Sequence, residues 1–278
     1  MKHQEGYFTN STDQSIYYQY WLPEGKPKAS VVINHGLHEH SGRYEHLVAF
    51  LTDNNFAVYG LDLPGHGKTP GIRSFVNSFN DFIEAVEIYL DMIRSWQPDL
   101  PVFLMGHSMG GLIAAVFLID HQDQLRGAVL SGSLVQVPEY VSDLTLKMGN
   151  ILSVLLPKFG VVRIDAEGLS RDPAVVQAYI DDPLVFTGKS KVRISNEINR
   201  GIILLEKEGT KIDLPLLILH GGADRVCDPS WSEYLHNLVS SPDKELIIYD
   251  GLFHEVYHEP ENQTVYADLL NWLEKHIS

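Results

Sequence analysis

Short apolar runs recur along the chain, at 29–34, 56–61, 101–105, 125–130, 214–220 and 245–249. Each is continuous rather than alternating, and each is bounded by turn residues. That pattern predicts strands, and the runs at 101–105 and 214–220 read as buried ones. Between them the apolar spacing changes. Phe79, Phe82, Ile83, Val86, Leu90 and Ile93 recur every three or four residues and predict a long amphipathic helix. A shorter helical stretch runs through Leu47, Phe50 and Leu51, and Val265, Leu269, Trp272 and Leu273 form the stripe of a C-terminal helix. Alternating strand and helix predicts an α/β chain with a mostly parallel, doubly wound sheet. Residues 14–21 alternate loosely and are rich in tyrosine, and a Pro23-Glu24-Gly25 turn follows, so the sheet is expected to start antiparallel.

The run at 101–105 leads into Gly106-His107-Ser108-Met109-Gly110, and a helix former, 111–121, follows at once. Strand, tight Gly-x-Ser-x-Gly turn and helix is the context of a nucleophile elbow. Glycines let strand and helix approach closely, and the helix start aims N–H groups at any oxyanion formed beside the serine. A serine hydroxyl needs a base, and the base needs an orienting acid. Asp224 lies in the loop after the run at 214–220. His254 lies in the loop after the run at 245–249. The order serine, acid, histidine is then complete. Asp228 and Asp250 are rival acids. Asp228 precedes Pro229 and reads as a helix cap, and Asp250 reads as a turn residue before Gly251. His258 is the rival base. The oxyanion donors are expected to be the N–H groups of Leu37, after the strand at 29–34, and of Met109.

These segments resemble the monoacylglycerol lipase and lysophospholipase branch of the α/β-hydrolases. His35-Gly-Leu-His-Glu39-His-Ser-Gly-Arg43-Tyr44 is similar to that branch's HGxxEHSGRY signature. Asp62-Leu-Pro-Gly65-His66-Gly67 resembles its GHG segment, and residues 106–111 its GHSMGG. Gly222-Ala-Asp224-Arg-Val-Cys227-Asp and Gly251-Leu-Phe-His254-Glu are similar to its acid and histidine loops. The resemblance implies an α/β-hydrolase fold with an inserted helical cap. It implies a triad of Ser108, Asp224 and His254, with Leu37 and Met109 as oxyanion donors. It places Glu39, Arg43 and a residue near His258 beside the polar head of the substrate. His38 stands where the branch often has a small residue, which would narrow or polarise the alcohol side.

Strand signals vanish between Leu134 and Asp213, far longer than the usual connection. The expected division is a core of 1–133 and 213–278 and a helical cap of 134–212. Residues 141–159 are dense in Leu, Ile, Val and Met, and 174–179 and 194–205 look helical. These helices either cover the sheet or bring Leu144, Met148, Ile151, Leu152, Leu155 and Leu156 to an acyl tunnel and a membrane-facing rim. Cys227 is expected either at the rim of the site or as a buried, inert thiol.

Composition narrows the classes. The net charge is −15, from 21 basic and 36 acidic residues, which disfavours nucleic acid and general adhesion to anionic membranes. A single cysteine excludes an internal disulfide. The first ten residues lack a signal-peptide core, and no apolar run has membrane-spanning length, so a cytoplasmic protein is expected. His35, His38 and His40 do not match a metal motif, and neither metal nor cofactor is expected. The expected activity is ester hydrolysis through an acyl-serine, on monoacylglycerols or lysophospholipids, with transient membrane or micelle contact through the cap. The same fold could serve a thioesterase, an aryl esterase or a small-peptide aminopeptidase, with Glu39 binding the substrate ammonium. A non-catalytic binder of small apolar ligands is the reading from another class.

Overall fold

The structure, a computed structural model, describes residues 1–139 and 141–277. Its main sheet has eight strands in the order β1-β2-β4-β3-β5-β6-β9-β10. These are β1 (Lys2–Thr9), β2 (Ser15–Leu22), β3 (Ala29–Asn34), β4 (Phe56–Leu61), β5 (Val102–His107), β6 (Gly127–Ser131), β9 (Leu216–Gly221) and β10 (Lys244–Tyr249). The β1–β2 and β2–β4 pairs are antiparallel and the rest are parallel. The strands β3, β4, β5, β6 and β9 are buried along their whole length, which explains why their sequences do not alternate. Strand β1 is the strand of this main sheet that the apolar pattern does not foreshadow. It is mostly exposed and polar, and it is held by its register with β2.

Helices cover both faces. On one face lie α2 (Asn80–Trp96), α3 (Met109–His121), α6 (Val192–Glu208) and α7 (Ser230–Leu238), sharing one apolar cluster. On the other lie α1 (Glu45–Asp53) and α8 (Asn262–Lys275), packed on a second cluster. Helix α3 is buried on all sides from Met109 to Ile119, as an almost uniformly apolar helix must be.

Between β6 and β9 the chain forms α4 (Asp143–Leu155), a two-stranded ribbon of β7 (Gly160–Val162) and β8 (Ser190–Lys191), α5 (Pro173–Asp181) and α6. Ser142 caps α4 by accepting from the Thr145 N–H, and Asp172 caps α5. The segment is not uniform. Helix α6 packs against α3, and its Ile194, Ile198, Ile202 and Leu205 belong to the main core. Helix α4 instead presents Leu144, Met148, Ile151, Val154 and Leu155 to solvent. Among the described residues no helix is long and apolar enough to cross a membrane.

Candidate active site

The parallel strands end on one side of the sheet, where open α/β sheets carry their sites. Strand β5 stops at His107, and Ser108 takes φ 54° and ψ −117° before α3 begins. A positive φ on a residue with a Cβ is strained, and it projects the side chain out of the turn. The turn is tied down on both sides. Ser108 N donates to Ser131 O at 2.9 Å, and Ser108 O accepts from the N–H groups of Gly111, Leu112 and Leu134. Glycine is required at 110, where a Cβ would overlap the carbonyl oxygens of Asn34 and His35.

Strand β9 delivers Asp224 and β10 delivers His254. His254 Nδ1 lies 2.7 Å from Asp224 Oδ2. The other carboxylate oxygen, Oδ1, accepts from the N–H groups of Val226 and Cys227 at 2.7 and 3.0 Å. Burial pushes the Asp224 carboxyl up, but the His254 charge and the bonds from His220 and His254 outweigh it and hold it well below the usual carboxylate range. Burial opposes the charge on His254 as well. Attraction and hydrogen bonding to Asp224, with Glu255 and Glu39 behind, raise it above an ordinary histidine. His107 packs against His254, with ring centroids 4.6 Å apart and the planes tilted by 51°. Burial pushes it down to about 4, so it is neutral near pH 7.

Ser108 and His254 line one small cavity with Gly36, Leu37, Glu39, His107, Ile164, Leu169, Tyr179, Val226 and Glu255. No hydrogen bond joins Ser108 to His254 among the described residues. The Cys227 thiol is the side chain beside the Ser108 hydroxyl. Such bonds are often absent from unliganded sites and form as substrate docks. Among the described residues the N–H groups of Leu37 and Met109 meet no acceptor, and Met109 is the first residue of α3. Two donors at that place, beside a serine, can hold a developing oxyanion.

The polar wall is an ion cluster. Arg43 forks onto Glu255 at 2.6 and 2.7 Å and also donates to Glu39 at 2.8 Å. Glu39 Oε1 accepts from the Gly36 N–H at 2.6 Å and from the Tyr44 hydroxyl at 2.9 Å. The cluster thus braces the loop that carries Leu37.

Several expected substrate contacts lie elsewhere. His38 points away, its Nε2 within 2.9 Å of the hydroxyls of Ser74 and Ser190. Both ring nitrogens of His258 are engaged, with Glu255 and with the Arg43 carbonyl, so it acts on the cavity only through Glu255. Leu155 is 69% exposed on α4, and Leu152 is half-buried off the cavity wall. Cys227 is buried rather than at a rim, and burial raises its thiol well above the usual range. Asp228 accepts from Ser230 at the start of α7, as its place before Pro229 predicts. Sequence reasoning missed Glu255, Tyr179, Ile164, Leu169, Val226 and His220. The one signal for Glu255 was its place directly after His254. Tyr179 and Ile164 had none, because only the fold of 134–212 brings them over the serine.

The profile of the family described as "Serine aminopeptidase, S33" matches residues 25–261. A human protein named monoglyceride lipase is 35% identical over 96% of this chain and 89% of its own length. The chain belongs to the monoacylglycerol lipase branch of the α/β-hydrolase superfamily. Within that branch, a monoacylglycerol lipase of Mycolicibacterium smegmatis is 34% identical over 94% of both chains. The crystal structure of a soluble variant of monoglyceride lipase from Saccharomyces cerevisiae, in complex with a substrate analog, superposes with a TM-score of 0.86. It is 26% identical, over 98% of this chain and 95% of that one.

Proposed function

We propose that this chain is a serine carboxylic ester hydrolase that cleaves monoacylglycerols or lysophospholipids through an acyl-serine intermediate. The observation that carries the reading is the buried His254–Asp224 pair, 2.7 Å apart, opening onto the cavity that holds the strained Ser108. Ser108 Oγ attacks the ester carbonyl as His254 Nε2 takes its proton. Asp224 holds the Nδ1–H tautomer and stabilises the imidazolium. The Leu37 and Met109 N–H groups hold the oxyanion. His254 then protonates the leaving alcohol. Water, deprotonated by the same nitrogen, releases the acid and frees Ser108.

Ile164, Leu169 and Val226 supply the apolar wall for the acyl chain, and the Glu39–Arg43–Glu255 cluster the polar side for the alcohol. Residues 134–212 act as the cap, and the exposed apolar face of α4 meets a lipid surface transiently, as suits a cytoplasmic enzyme. An aminopeptidase is the weaker reading. It needs a free carboxylate for the substrate ammonium, and the oxygens of Glu39 are already taken by Gly36, Tyr44 and Arg43. A panel of monoacylglycerols, lysophospholipids and aminoacyl amides, run beside labelling with a fluorophosphonate, tests this. Hydrolysis of either lipid class with labelling of Ser108 is expected. Turnover of the amides alone would overturn the reading.

A further inference from the structure

We propose that His220 is a positioning residue for Asp224, fixing the carboxylate that orients His254. The inference rests on the triad reading above and adds a fourth side chain to it. His220 is the penultimate residue of β9 and is fully buried, and Asp224 follows four residues later. His220 Nε2 lies 2.9 Å from Asp224 Oδ2 and 3.1 Å from Cys227 O. A carboxylate oxygen and a carbonyl oxygen can only accept, so Nε2 must carry the proton. His220 Nδ1 lies 2.6 Å from Ser232 Oγ on α7. A hydroxyl can donate, and in the Nε2–H tautomer the ring accepts at Nδ1. The chain of bonds therefore runs from the Ser232 hydroxyl to His220, from His220 to Asp224 Oδ2, and onto the same oxygen from His254.

This arrangement does two things. Oδ1 is held by the Val226 and Cys227 N–H groups, and His220 holds Oδ2, so the carboxylate plane cannot turn away from His254. A second N–H on Oδ2 also draws charge from the oxygen that attracts the His254 proton. The charged and titratable groups around the relay are few. His220 faces Asp224, with Asp228 near it from the start of α7. Asp224 faces His220, His254 and the Cys227 thiol. His254 faces Asp224, Glu255 and Glu39, and His107 from the end of β5.

The test compares wild type, Asp224→Asn, His220→Gln and the double variant His220→Leu/Ser232→Ala, which leaves no hydroxyl unpaired. Partners that orient a site residue typically contribute about 10–100-fold. The double variant is expected to lose turnover by about that factor with KM nearly unchanged. The acid limb of its kcat/KM profile should move to higher pH, because Asp224 regains its full pull on the His254 proton. Gln can donate to Oδ2 and accept from Ser232, so His220→Gln should recover most of the lost turnover. A folded double variant with wild-type turnover overturns the proposal. So does lost turnover with an acid limb that stays or moves down, which marks packing damage. If the double variant does not fold, the nitrogen-15 shifts of wild-type His220 decide: an Nε2–H ring supports the proposal and an Nδ1–H ring overturns it. Asp224→Asn separates the two levels. If it stays active, the triad reading itself has failed. If it is inactive while the double variant is not, only the role of His220 has.

Discussion

Asp224 carries more of its surroundings than any other side chain of the site, with four hydrogen-bond donors on two oxygens. Asp224→Asn should keep the fold and lower turnover about ten-thousand-fold, through the wrong imidazole tautomer. Asp228→Asn, which only loosens a helix start, should stay within a few-fold. Steady-state kinetics on one ester decides, and a more damaging Asp228 variant would name a different acid. His254 must be neutral to take the Ser108 proton, and its proton affinity is raised above an ordinary histidine. Activity should therefore fall as pH drops through a value above about 6.5. A profile flat down to pH 5 would contradict this. Ser108, Asp224 and His254 were legible because each follows a strand in a glycine-bearing loop, and the strand ends converge. His38, Leu152 and Leu155 were not legible. A local motif does not say which way a ring turns, and a helical stripe does not say which neighbour it faces.

At the scale of elements, the close approach of α3 to β3 depends on Gly110. Gly110→Ala must push the helix start off the strand, a packing insult of about 1–3 kcal/mol or more. Thermal unfolding should show it, and turnover should fall with it because Met109 N–H moves. An unchanged melting temperature would mean that the elbow is looser than its geometry implies. Helix α4 makes the opposite case. Its apolar density over 141–159 was readable, but its apolar stripe faces solvent, not a tunnel. Replacing Leu144, Met148, Ile151 and Leu155 with serine should leave a soluble short ester unaffected. Hydrolysis of a vesicle-borne ester should drop about tenfold or more, since each such side chain contributes roughly 1.5–3 kcal/mol when fully buried. Equal rates on both substrates would remove lipid contact from the account. Strand β1 was illegible for a different reason, since an exposed edge strand needs no apolar signature.

For the whole molecule, burial sets the response to acid. His38 and His107 are each pushed down to about 4, and His35 and His66 are also lowered by burial. Unfolding lets all four take protons near their ordinary value of about 6.5. Between about pH 6.5 and 4 the unfolded chain then binds more protons, so stability falls with pH across that window. His254, raised by Asp224, acts in the opposite sense and offsets only part of this. Calorimetry from pH 7 to pH 4.5 should show a steadily falling melting temperature, and a constant one would mean that these histidines are not buried neutral. The same burial gathers the strand ends, the ion cluster and the relay on one side of the sheet, where the chemistry is proposed. The most direct measurement of that chemistry is release of fatty acid from a monoacylglycerol by wild type and by Ser108→Ala, side by side. The account predicts steady release by wild type and a loss on the order of a million-fold in the folded variant. A Ser108→Ala protein that keeps even about a tenth of wild-type release, once contaminating esterase is excluded, would contradict it.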